Sequence, residues 1–117
     1  MTERERQVIG LAAERNDLTF DQVEQHFNNI APLMEEKDEI MNDFLHRQID
    51  SETYLSLSDT EYKRIEQLER KMAKLKKQYK KLCDESRARR QADGTWDPFP
   101  SQETIRKRKE KYPLCYN

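Results

Sequence analysis

Two histidines, His26 and His46, and two cysteines, Cys83 and Cys115, are the side chains suited to nucleophilic or metal chemistry. Asp43-x-x-His46 has the helical spacing of half a carboxylate-bridged metal site, but the matching half and the further glutamates are missing. No C-x-x-C or H-x-x-x-H pair is present to hold zinc. Cys83 stands among lysines, which lower a thiol pKa, yet no histidine is spaced to act as its base. Gly10 and Gly94 are the only glycines, which leaves little scope for a loop that cradles phosphate. The expectation is a non-enzymatic chain with no catalytic residue, no metal and no cofactor.

Binding is the chemistry these residues do support. Glu35, Glu36, Asp38, Glu39 and Asp43 form an acidic run able to meet a basic partner. Trp96 and Phe99, in a strap with Pro98 and Pro100, are candidate apolar anchors for a protein partner. Lys77, Lys80, Lys81, Arg87, Arg89, Arg90, Arg106, Lys107 and Arg108 are candidate phosphate contacts, and nucleic acid is the second choice of partner. Residues 1–60 carry 5 Lys and Arg against 14 Asp and Glu, and residues 61–117 carry 17 against 9. A total of −1 therefore conceals halves of −9 and +8. Two opposite poles either touch each other or each meet a partner.

The element that organises the chain is Ser58–Gln91. Ile65, Leu68, Met72, Leu75, Tyr79 and Leu82 recur there at alternating steps of 3 and 4, a heptad seam set among Lys, Arg, Glu and Gln. Ser58 and Glu61 form a capping box at its start. An apolar stripe on a rod of roughly 50 Å needs a cover. The N-terminal helices are expected to cover Ile65 and Leu68, with Leu75 to Leu82 pairing with a second copy or a partner.

Three helices are expected before the rod. Thr2 and Glu5 open the first, which carries Val8, Ile9, Leu11 and Ala12 and stops at Asn16-Asp17. Thr19 and Gln22 open the second, whose buried side is Phe20, Val23 and Phe27 with Ile30 as a further candidate, and Asn28-Asn29 ends it. The third starts near Pro32 and is apolar along Leu33, Met34, Ile40, Met41, Phe44, Leu45 and Ile49. Residues 50–57 form a polar connector that is either extended or a turn of helix. Beyond the rod, Gly94 is the left-handed stop. A Pro/aromatic strap follows, and Ser101 caps a short basic helix.

Residues 4–27, RERQVIGLAAERNDLTFDQVEQHF, resemble the opening two helices of bacterial winged helix-turn-helix repressors of the DeoR kind. The resemblance implies a third helix that reads the major groove. Glu35, Glu36, Asp38 and Glu39 would lie on it, and phosphates repel them.

The fold expected is all-α. It comprises an acidic three-helix unit (1–49), a connector (50–57), a long coiled-coil-like helix (58–92) and a strap with a basic C-terminal arm (93–117). No run approaches the ~20 apolar residues of a bilayer span, and no signal-peptide core follows Met1. Unpaired thiols fit a cytoplasmic setting. The function expected is a small regulatory protein that binds a larger protein and self-associates as a homodimer through the rod. The alternative is a nucleic-acid-binding transcriptional regulator.

Overall fold

The computed structural model describes residues 1–116, which form four α-helices and one 3-10 turn. No strand occurs among the described residues. Helix α1 spans Glu3–Asn16, α2 Phe20–Ile49, α3 Asp59–Asp93 and α4 Gln102–Lys111, and the 3-10 turn spans Pro113–Cys115.

Each helix begins where its capping residue stands. The Thr2 hydroxyl accepts from Glu5 N at 3.1 Å, and Thr2 N donates to the Glu5 carboxylate at 3.3 Å. Thr19 with Gln22 (3.1 and 2.9 Å) and Ser58 with Glu61 (3.2 and 3.1 Å) repeat the same exchange. Ser101 accepts from Thr104 N at 3.2 Å. Each exchange satisfies an otherwise orphaned N–H in a first turn. The stops are local too. Asp17 takes the left-handed conformation (φ 52°) after α1, and Leu18 N donates to Ala13 O at 2.9 Å. Gly94 (φ 73°) closes α3, with Thr95 N donating to Arg90 O and Gly94 N to Gln91 O, a Schellman motif.

The expected second and third helices are one. α2 runs for 30 residues through Asn28-Asn29 and contains Pro32. Proline at 32 lacks the N–H that would reach the Asn28 carbonyl, and its ring crowds that carbonyl. Both residues are exposed, so water can serve the carbonyl. Ile30, Leu33 and Ile40 share one face only while the helix is unbroken, and that face packs on Leu68, Met72 and Leu75 of α3. Burying it opposes the local cost of Pro and Asn, about 3–4 kcal/mol together. The helix-turn-helix that residues 4–27 resemble requires a turn after its second helix. The chain has none there.

Two compact units result: Met1–Phe27 with Tyr79–Asn117, and Asn28–Gln78. In the first, Ile9, Ala13 and Val23 form the core, with Ala12, Leu18, Phe27 and Tyr79 packed on it. Val8, expected inside, is exposed. Ser86 is fully buried, and its hydroxyl donates to the Asn16 carbonyl at 2.7 Å, with that of Asp17 at 3.1 Å. It thereby satisfies the C-terminal end of α1. The tail docks on α1: Tyr112 is buried, Leu114 N donates to Gln7 Oε1 at 2.9 Å, and Arg15 donates to Tyr116 Oη at 3.1 Å.

In the second unit, α2 and α3 form an antiparallel hairpin around Ile30, Leu68 and Met72. Three ion pairs join the helices: Arg64–Glu36, Arg47–Glu61 and Lys37–Glu69. The connector is neither helix nor strand. Gln48 holds it, accepting from Leu55 N at 2.7 Å and donating to Thr53 O at 3.2 Å.

Candidate functional site

From Ile65 to Tyr79 the heptad seam is occupied by the chain itself. Ile65, Leu68 and Met72 are buried, and Leu75 is half-buried beside them. Tyr79 packs on the core of the first unit, and Leu82 is half-buried. The N-terminal helices thus reach further along the rod than expected, to Tyr79. The six seam residues are well separated in exposure from the lysines between them, as a buried stripe requires.

The acidic run does not form one surface. Glu36 is taken by Arg64, whose Nε and Nη2 donate to the two carboxylate oxygens at 2.8 and 2.6 Å. That fork holds the Glu36 carboxyl below the usual carboxylate range. Glu35, Asp38, Glu39 and Asp43 are exposed and make no ion pair among the described residues. Glu35, Glu39 and Asp43 recur every four residues and share one face of α2. Beside that face run Met34, Met41, Leu45 and Ile49, at steps of 7, 4 and 4. Met34 and Leu45 are each 50% exposed and Ile49 is 80% exposed. The broad apolar face expected of this segment is therefore only partly used by the hairpin.

The two aromatic anchors have different surroundings. Phe99 is 83% exposed, whereas Trp96 is half-buried and lines a cavity of about 640 Å³ in the first unit. The Schellman turn at Gly94 and an Asx turn, in which Phe99 N donates to Asp97 Oδ1 at 2.8 Å, bend the strap over the end of α3.

The basic residues also divide. Lys77, Lys80, Lys81 and Arg89 are exposed and make no ion pair among the described residues. Arg106 pairs with Glu103 and Glu110, and Lys107 with Glu103, so these two tail cations are internally neutralised. Arg87, Arg90 and Arg108 line the cavity with Trp96, and Arg15 and Tyr116 join them from α1 and the tail. Arg15 and Tyr116 carry no signal of this role in the sequence. Residues 15, 87–90 and 108 share no local motif, and only the docking of α4 and the tail on α1 and α3 assembles them.

The residues that could do chemistry are dispersed. His26 stacks on Tyr79, and burial holds its imidazole below the ordinary value. His46 is exposed. Burial pushes the Cys83 thiol up, which disfavours the thiolate that the neighbouring lysines were expected to stabilise. No cluster of three metal-ligating side chains occurs among the described residues, and no helix is long and apolar enough to cross a membrane.

No protein-family model, curated protein or solved structure matches this chain.

Proposed function

We propose that this is a non-enzymatic helical interaction protein that binds a partner protein through the outward face of α2. The observation that carries the reading is the adjacency of exposed Met34, Leu45 and Ile49 to the unpaired carboxylates of Glu35, Asp38, Glu39 and Asp43. Methionine and leucine adapt to varied apolar shapes, and flanking carboxylates select a cationic rim. The complementary partner element is a basic amphipathic helix laid along α2. In this reading the α3 seam from Ile65 to Tyr79 is core, because residues of the same chain cover it.

The test is titration with a synthetic basic amphipathic peptide of Leu and Lys, at ~50 and ~200 mM salt, with an acidic counterpart as control. Selective binding of the basic peptide, lost in an E35K/E39K/D43K variant, is expected. Surface substitutions of this kind leave the fold nearly unchanged. Failure to bind the basic peptide at the lower salt, or equal binding by the variant, would overturn the reading.

A second reading, nucleic-acid binding, is supported by the exposed, unpaired Lys77, Lys80, Lys81 and Arg89 on α3. Several phosphate contacts would make affinity for duplex or single-stranded nucleic acid fall about a hundredfold between ~50 and ~200 mM salt. No binding at the lower salt removes this reading.

A further inference from the structure

The cavity beneath the strap gathers four guanidinium groups from three helices. Arg15 comes from the end of α1, Arg87 and Arg90 from the end of α3, and Arg108 from α4. Its volume, about 640 Å³, falls within the range of small-molecule sites. Trp96, Pro98 and Ile105 supply an apolar wall, and Tyr116 a second ring.

The protein leaves these cations incompletely satisfied. Arg87 is paired with Asp84 at 2.6 Å, and Arg15 donates only to a neutral phenol, Tyr116 Oη. Nε of Arg90 and Nε of Arg108 are buried, and neither has a hydrogen-bond partner among the described residues. Glu14 Oε1 lies 3.8 Å from Arg108 Nε, beyond hydrogen-bonding range. The Arg108 side chain is only 15% exposed. Among the cavity-lining residues the one carboxylate is Asp97, which already accepts from Phe99 N. Even with Asp84 and Glu14 counted, the positive charges outnumber the negative. The Arg90 side chain lines the cavity and makes no hydrogen bond or ion pair among the described residues, which leaves its terminal nitrogens free to take an anion.

We propose that this cavity binds a small phosphorylated ligand of mononucleotide size, with Arg90 and Arg108 on its phosphates and a planar ring against Trp96. Arg90 has no carboxylate partner among the described residues and Arg108 has Glu14 only at 3.8 Å, whereas a diphosphate offers enough oxygens for both forks. The adjoining tryptophan, proline and tyrosine surfaces suit a flat heterocycle, which stacks on aromatic faces. This site belongs to the first unit and is independent of the α2 face.

Trp96 is the only tryptophan, so its fluorescence reports on this cavity alone. The protein is titrated at ~50 mM salt with ADP, with inorganic pyrophosphate and with adenosine, using excitation that avoids the base. Saturable change is expected with ADP and, more weakly, with pyrophosphate, and none with adenosine at the same concentrations. R90Q and R108Q should each weaken ADP binding at least tenfold. K76Q, which removes a positive charge from an exposed residue outside the cavity, should leave it within twofold. Circular dichroism checks that each variant is folded. Should R90Q and R108Q unfold, R87Q at the cavity's exposed rim takes their place, with the same tenfold expectation. Absence of a saturable response to ADP, or equal weakening by K76Q and the cavity variants, would overturn the proposal. ADP binding no more tightly than pyrophosphate would overturn the assignment of a ring to Trp96.

Discussion

The imidazole of His26 lies stacked on the ring of Tyr79, with centroids 4.4 Å apart and planes inclined by 18°. Tyr79 belongs by spacing to the heptad seam, yet its neighbours are the core residues of α1 and α2 in its own chain. The stack sets two titratable rings, an imidazole and a phenol, beside the first unit's core. Burial lowers the His26 pKa and raises that of Tyr79, so both are held neutral near pH 7.

A pH dependence follows from His26. The unfolded chain takes up its proton near the ordinary histidine value of 6.5, and the folded chain only at lower pH. The contribution to stability is complete above 6.5 and declines as pH falls towards the folded value. His26→Phe preserves the stack without the proton. Between about pH 7.5 and 5, the urea midpoint of the parent should fall relative to that of the variant. Parallel curves would mean that burial does not disfavour the imidazolium.

Glu61 provides a second, acid-side dependence. Two hydrogen bonds from Arg47 (2.7 and 2.6 Å), followed by the Ser58 N–H, hold its carboxyl down to about 2 from 4.5. Its stabilisation is present above 4.5 and lost as pH falls towards 2. Glu61→Gln should therefore melt earlier than the parent near neutral pH, and the two should converge near pH 2. Thermal melts monitored by circular dichroism across that range provide the check.

The seam can be tested at its centre and its margin. Leu68 is fully buried, and Leu68→Ala should cost about 2–5 kcal/mol in urea unfolding. Leu75 is half-buried against the same cluster. Leu75→Asp should lower the unfolding midpoint without altering the sedimentation mass of the folded protein. A halved mass with unchanged stability would place Leu75 between two copies instead.

Gly10 makes room for the docked tail. A Cβ there would stand 2.8 Å from Cε1 of the buried Tyr112 ring. Gly10→Ala gains about 1 kcal/mol of helix propensity, but the overpacking it creates costs about 1–3 kcal/mol. The variant should be neutral to destabilised, and the tail should become more sensitive to protease. In a Tyr112→Ala background the same substitution should be stabilising, a sign reversal that isolates the Gly10–Tyr112 contact.

What the sequence by itself determined is what depends on neighbours three or four positions away. Thr2, Thr19, Ser58 and Ser101 start helices at the expected places, and Gly94 ends α3, because each motif completes its hydrogen bonds within one turn. The buried stripe from Ile65 to Met72 was legible for the same reason, as a periodicity along one element. Tertiary structure decided the rest. Local rules break the chain at Asn28-Asn29 and restart it at Pro32, but burial of Ile30 and Leu33 against Leu68 and Met72 carries α2 straight through. Residues adjacent in the acidic run also separated, since Glu36 met Arg64 while Glu35 and Glu39 stayed in water. The arginine cavity depends on residues as distant as Arg15 and Arg108, brought together when Tyr112 seats against Gly10. No local spacing encodes that meeting, because long-range packing supplies the free energy that produces it.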